Sequence, residues 1–310
     1  MTARPLLPSW VWLVLLWLVW GTSWPAMRTA FLEMPVWQFR ALTSLIGGMA
    51  LLYMAKLAGG NIRLAREDWG PLALAGFFNI TVWLVASGYG LTMIGAGHAA
   101  VVCYTLPVWT ALFSVIFFKE RLSARVLASL VLGMGGVAVL ASHDFAALGA
   151  EPLGLVFVLV AAVSWAIGTL LIKRRRWSAG MNALAGWQLL MAVVPIGIVA
   201  LVTERFTLHA ASNAAIFSGF YILIVGVILG YALWFKVVSL FPATIASIGS
   251  LVTPVIGMMS SAALLAEPLG WRELAALALV LGAVAIVIFR RAVPADAAAR
   301  APERGTAARA

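Results

Sequence analysis

Charge is what this 310-residue chain has least of: only 10% of its residues are Asp, Glu, Lys or Arg, against 64% hydrophobic residues and a mean hydropathy of +1.04. So few charges cannot cover a water-facing surface, which excludes a soluble globular domain and makes the chain an integral membrane protein. An isolated charge at a helix centre costs about 2.5 to 3.5 kcal/mol on insertion scales, which explains why the apolar runs are so clean. Cysteine is nearly absent. The single Cys103 lies within an apolar run as a small core residue, and alone it forms no intrachain disulfide. No Asp or Glu falls in the middle of an apolar run, which removes the usual titratable carrier of proton-coupled membrane proteins. Of three His, only His98 stands in or at the edge of a run, either as a helix-end ring bonded to backbone or water or as a coupling group. Paired intramembrane Asp, a Ser and His couple and an HExxH motif are all missing, so a membrane-embedded enzyme has no constellation to work with, and no metal or cofactor is implied.

What is present is a series of long apolar runs separated by short charged clusters. Runs that can cross roughly 30 Å of hydrocarbon at about 1.5 Å per residue predict ten helices, near 10–28, 36–56, 69–93, 97–118, 125–141, 153–172, 182–202, 213–236, 243–265 and 272–289. The first run continues through Trp20 and Trp24 to Arg28 without a small-residue cleavage site, and is read as a retained span. With the N-terminus inside, 17 of the 21 basic residues fall on the cytoplasmic side, leaving only Arg28, Arg40, Arg205 and Arg272 outside. Both termini are therefore expected in the cytoplasm of a multi-pass inner-membrane protein. The net charge of +10 thus reads as topology; the basic residues are scattered through short loops and form no nucleic-acid surface.

The chain also repeats itself. TLPVWTALFSVIFFKERLS, from Thr105, returns as VTPVIGMMSSAALLAEPLG, from Val252, so that Pro107, Glu120 and Leu122 match Pro254, Glu267 and Leu269 at a constant offset of 147. At an offset of 145, Trp20 matches Trp165 and Arg28 matches Lys173. Five helices per copy is odd, so the second copy would enter the membrane inverted, the plan of many secondary transporters. The expected organisation is a cytoplasmic N-terminus at 1–8, a first repeat at 9–141, an external linker at 142–152, a second repeat at 153–290, and a disordered cytoplasmic tail at 291–310. The fold class is all-α, ten transmembrane helices as two inverted five-helix repeats.

With WGTSWPAMR at Trp20–Arg28, Phe39 and Arg40 in the second run, KERLS after Pro107, and Trp165, Gly168, Lys173, Pro254, Glu267 and Leu269 in the second copy, the sequence resembles the drug/metabolite transporter superfamily. Within it the chain is similar to the ten-helix family of two EamA domains, over 9–290. The resemblance implies a membrane exporter of amino acids and other metabolites, with a central cavity among helices 1, 3, 4, 6, 8 and 9. This sequence departs from exact symmetry where Pro268 follows Glu267 and where Gln188 stands near the position matching Arg40.

Candidate cavity residues are Trp20, Asn79, Trp83, Tyr104, Trp165, Thr169, Tyr231, Trp234, Ser247 and Ser250. Rings would pack an apolar side chain, an aromatic face would attract an ammonium, and hydroxyls would take a carboxylate. Trp17, Trp20 and Trp24 recur at helical spacing as a stripe facing either lipid or packed neighbours, while Trp10, Trp12, Trp37, Trp69, Trp177 and Trp271 fit interfacial anchors. Pro107 and Pro254 read as mid-helix kinks, and Glu120 and Glu267 either pair with neighbouring bases such as Lys119, Arg121 and Arg272 or help a gate close. Trp165→Ala is expected to reduce transport while sparing the fold. The function expected is secondary transport of small metabolites by alternating access, with export of amino acids, hydrophobic or aromatic ones included. Drug efflux, metabolite uptake and a structural or receptor-like membrane protein are the alternatives. The partners are a small-molecule substrate and the lipid bilayer; a monomer is expected, with a dimer left open.

Overall fold

The computed structural model describes residues 8–142, 151–205, 211–265 and 270–288, and among them there are helices and no strands. In chain order these are α1 (Ser9–Glu33), α2 (Val36–Leu57), a 3-10 turn (Arg66–Asp68), α3 (Trp69–Gly76), a π-helical stretch (Phe77–Val82), α4 (Trp83–Cys103), α5 (Leu106–Phe118), α6 (Ala124–Ala141) and α7 (Pro152–Arg174). There follow α8 (Met181–Thr203), α9 (Asn213–Tyr221), a second π-helical stretch (Ile222–Leu229), α10 (Gly230–Leu240), α11 (Ala243–Gly249), α12 (Val252–Leu265) and α13 (Trp271–Ile288).

Five of these stretches, Ser9–Glu33, Arg66–Ile94, Pro152–Arg174, Met181–Thr203 and Asn213–Leu240, are long and apolar enough to cross a membrane, and shorter apolar helices accompany them. The outer surface is correspondingly greasy: Leu32, Phe217, Val202 and Leu201 are 73 to 85% exposed, which is stable only where lipid replaces water. The chain is a multi-pass membrane protein. Helix is the natural answer to that solvent, because it satisfies its backbone hydrogen bonds internally.

The helices assemble across the two parts of the chain. The α2 helix packs along α8, α4 along α7, α6 along α13, and α1 against α12 and the α9–α10 segment. Small residues permit the approach: a Cβ at Gly48 would stand 2.9 Å from the Gly186 carbonyl, and one at Gly186 would stand 2.9 Å from that of Gly48. Helix ends are also tied across the chain. The Glu204 carboxylate accepts from the backbone N–H groups of Trp37 (2.9 Å) and Gln38 (3.0 Å), capping the exposed donors at the start of α2.

Three expectations are corrected here. Helix persists through 94–96, where a boundary between spans was expected, and the interruption falls instead at Tyr104 and Thr105. The GAG run at 95–97 carries no proline to stop a helix, whereas Pro107 is placed to begin the next one. Pro107 sits in the first turn of α5 and Pro254 in the first turn of α12, so neither is a mid-helix kink; a first-turn residue has no intrahelical N–H partner to lose. Among the described residues the prolines inside helices are Pro25 in α1 and Pro195 in α8. The third correction is Arg40, counted above with the outer basic residues: it is buried within α2. Glu267, the 143–150 part of the linker and the tail beyond 288 lie outside the described residues.

Candidate functional site: a cavity between the two parts of the bundle

The two π-helical stretches occupy matching places, Phe77–Val82 and Ile222–Leu229, again 147 positions apart at Phe77 and Ile224. A π turn displaces one residue from the regular ladder and leaves backbone groups for other partners. The Gly226 carbonyl uses this freedom, accepting from the Trp20 indole N–H at 3.1 Å. In the matching place Asn79 donates its side-chain amide to the Trp165 carbonyl (3.5 Å) and Thr169 Oγ1 (3.4 Å).

Beside the second stretch, and just past the end of the first at Trp83 and Leu84, lies a cavity of about 140 Å³. That is far above the roughly 10–15 Å³ that a single water needs, and is room for a small metabolite. Its floor is a ring cluster from both parts of the chain: Trp20 lies 5.7 Å from Trp165, 6.3 Å from Tyr231 and 5.6 Å from Trp234. Trp165 is the hub, with Trp83 at 4.7 Å, Tyr231 at 6.1 Å and Trp234 at 5.5 Å. Above the floor the walls carry Trp24, Met27, Phe31, Phe39, Leu91 and Ile222. Arg40 is the one cation among the described lining residues. Its Nη1 donates to the Leu84 carbonyl and to Ser87 Oγ (3.1 Å), its Nη2 reaches the Met27 sulfur at 3.9 Å, and its guanidinium stands 5.4 Å from the centre of the Phe31 ring.

Beyond the ring floor, the opposite end of the bundle is laced by charged groups. Asp68 accepts from Ser178 Oγ (2.6 Å), from the Ser178 N–H (3.0 Å) and from Arg175 Nε (2.8 Å). Arg174 pairs with Glu120 while stacking on Phe118 at 4.2 Å. The partner of Glu120 is therefore Arg174, supplied by α7, and not the neighbouring Lys119 or Arg121; Lys119 turns away as the left-handed C-cap of α5, with φ 52°.

Of the residues singled out in the sequence, Trp20, Trp83, Tyr104, Trp165, Tyr231 and Ser250 line the cavity. Asn79, Thr169, Trp234 and Ser247 do not; they are buried beside it, with Trp234 underpinning the ring floor and Ser247 3.1 Å from Thr110. The His98 side chain lies outside the described residues. The Trp17, Trp20, Trp24 stripe faces protein: Trp17 donates to the Gly249 carbonyl at 2.6 Å, and Trp24 lines the cavity. Trp37, expected as an interfacial anchor, is buried against Tyr89 at 4.6 Å. The expectation that Trp165→Ala would spare the fold is also revised, since a hub packed on four rings takes packing with it when truncated. Sequence reasoning missed Arg40 as a site residue. The signal available was a lone cation five residues inside an apolar helix, where it could not reach water.

The profile of the EamA-like transporter family matches residues 8–142 and again residues 152–289. The uncharacterized transporter YvbV of Bacillus subtilis (strain 168) is 28% identical over 270 residues, covering 87% of this chain and 88% of its own. The uncharacterized inner membrane transporter YedA of Escherichia coli (strain K12) is 27% identical over 295 residues, 93% of this chain and 92% of its own. A probable amino-acid metabolite efflux pump of the same strain is 24% identical over 279 residues, 87% and 91% of the two chains. One solved crystal structure superposes with a TM-score of 0.75 over 90% of this chain and 95% of that one, at 18% identity, a likeness of fold.

Proposed function

The chain belongs to the EamA-like transporter family, and on that premise we propose that it moves small metabolites across the inner membrane by alternating access, as an exporter of amino acids or related compounds. It is a transporter and not an enzyme. The observation that carries the reading is the cavity itself, whose floor is built from Trp20 on one matched half and Trp165, Tyr231 and Trp234 on the other. A site between two halves is what a rocking mechanism needs, because tilting one half against the other exposes it to alternate sides.

The same proposal includes ten spans arranged as two inverted repeats. The constant offset of 147, the matching π stretches and the helix breaks at Tyr104–Thr105 and Ser250–Leu251 support it. The cavity reaches from the ring floor toward the α1–α2 turn, while the Asp68, Arg175, Glu120 and Arg174 interlock closes the basic end. If the basic end is cytoplasmic, this conformation is closed inward. Relatives bear amino-acid efflux in their names, which supports amino acids as the first substrates to test.

Proteoliposomes containing only this protein should exchange labelled amino acids across the bilayer, and vesicles that move none of a broad panel would remove the reading. For topology, cysteines introduced at 173–176 in a Cys103→Ser background should be labelled only from the cytoplasm and those at 143–151 from outside. Labelling of the linker only after permeabilisation would reverse the assignment.

A further inference from the structure

We propose, resting on the reading of this cavity as the transport site, that it selects organic monocarboxylates through Arg40 and that an amino group on the ligand contributes nothing to recognition. The observation is a guanidinium without a counter-ion among the described residues. Arg40 is only 6% exposed, and no Asp or Glu is among the described residues that line its cavity. One edge of the group is engaged, with Nη1 held by the Leu84 carbonyl and Ser87, while Nη2 has a long contact to sulfur and the guanidinium stands 5.4 Å from the Phe31 ring, a neutral partner that leaves its charge unmatched. The other titratable groups lining the cavity, Cys103, Tyr104 and Tyr231, are neutral as the thiol and phenols.

A buried cation left in this state is costly, and it persists in folded proteins when function requires it. The donors still open match a planar carboxylate better than any other common anion, since guanidinium and carboxylate meet as two parallel N–H···O bonds. A phosphate dianion would bring a second negative charge with no second cation to meet it.

The net charge of the filled site decides the amine question. A monocarboxylate neutralises the cavity, whereas a zwitterion leaves it as positive as before and adds an ammonium with no carboxylate to receive it. Aromatic faces attract cations, but here the guanidinium shares the cavity and opposes that attraction. The body of the ligand would lie against Trp24, Phe31, Phe39 and Trp83, which offer apolar surface and few polar atoms.

The test uses the full-length protein purified in detergent and four probes of one shape: 3-phenylpropionate, L-phenylalanine, phenethylamine and 3-phenylpropan-1-ol. Thermal midpoint and tryptophan fluorescence report binding. 3-Phenylpropionate should bind at least as tightly as L-phenylalanine, and the amine and alcohol at least tenfold more weakly. Arg40→Gln should weaken 3-phenylpropionate at least tenfold, with Arg40→Lys between the two. Without ligand, Arg40→Gln should melt at or above the wild-type temperature because the uncompensated charge is gone, which separates lost binding from lost folding. Should Arg40→Gln fold badly, the four probes on the wild-type protein still decide the matter. Phenethylamine or L-phenylalanine outbinding 3-phenylpropionate, no binding of 3-phenylpropionate, or unchanged binding by a folded Arg40→Gln each overturns the proposal. Flux of labelled amino acids through wild-type and Arg40→Gln vesicles at equal rates would leave the transporter reading standing without this one. Carboxylate binding with no flux of any substrate would do the reverse.

Discussion

At two matching contacts the halves of this protein solve the same packing problem with the glycine on opposite sides. Where α7 meets the first π stretch, Gly168 on the helix faces Asn79; where α1 meets the second, Gly226 on the π stretch faces Ser23, and Gly168 matches Ser23 at the offset of 145 as Asn79 matches Gly226 at 147. The swap redistributes the polar groups. With Gly226 in place the carbonyl is open and takes the Trp20 indole, whereas Asn79 spends its amide nitrogen on Trp165 O and Thr169, and the Trp165 indole N–H is buried with no partner among the described residues. A second difference lies in the paired helices α2 and α8. Arg40 reaches the cavity, while Gln188, 148 positions on, is 0% exposed with both amide atoms unpartnered among the described residues. A repeated backbone therefore does not mean repeated chemistry, and the charged wall of the cavity belongs to the first half alone.

The largest expected effect breaks the first comparison directly. A Cβ at Gly168 would lie 2.6 Å from the Asn79 backbone nitrogen and 2.7 Å from its Cα, atoms that cannot swing aside, whereas at Gly226 the nearest atom is Ser23 Oγ at 3.1 Å. Gly168→Ala should thus cost about 3 kcal/mol, at the upper end of overpacking effects, and Gly226→Ala a small fraction of that. Thermal midpoints in detergent check the order, and equal losses would show that the two contacts are not distinguished by their glycines.

Gln188→Leu comes next and has the opposite sign. Replacing two buried, unsatisfied polar atoms with an apolar chain of similar size should raise stability by about 1 to 3 kcal/mol, with transport unchanged because Gln188 does not line the cavity. A lower midpoint would mean that the amide holds a partner such as buried water.

The indoles give a finer contrast. Trp20→Phe and Trp165→Phe lose the same volume, but only Trp20 gives up a hydrogen bond, so Trp20→Phe should be the less stable of the two by about 0.5 to 1.5 kcal/mol. Equal melting of the pair would remove the asymmetry.

The smallest effects belong to the interlock at the basic end. Arg174 and Glu120 are 38% and 44% exposed, and Glu120→Gln should change stability by at most about 1 kcal/mol. Asp68→Asn should lower the thermal midpoint by weakening the bonds from Ser178 and Arg175, and an unchanged midpoint would show that these bonds do not hold the basic end together.

Sequence alone determined the class of this protein, because hydrophobic content at this level leaves no soluble alternative and each span must be long enough to cross the bilayer. It also set Trp20 and Trp165, which line the cavity, at repeat-related positions that periodicity makes visible, whereas Trp24, Phe31 and Phe39 became wall residues only through packing. Residues whose role depends on a distant neighbour were beyond its reach. Glu120 has a basic residue on either side in the chain, yet α7 delivers Arg174 to it from 54 positions away. Pro107 looks central to a run, and only the break at Tyr104–Thr105 makes it the start of a helix. Asn79 and Thr169 have the composition of a binding site, but the Asn79 amide nitrogen is spent on Thr169 and the Trp165 carbonyl inside a helix contact, away from the cavity lining. Arg40 was visible as a charge in an apolar helix. Whether an acid would face it across the cavity depended on which side chains the other helices turned inward, a matter of three-dimensional packing that no local pattern encodes.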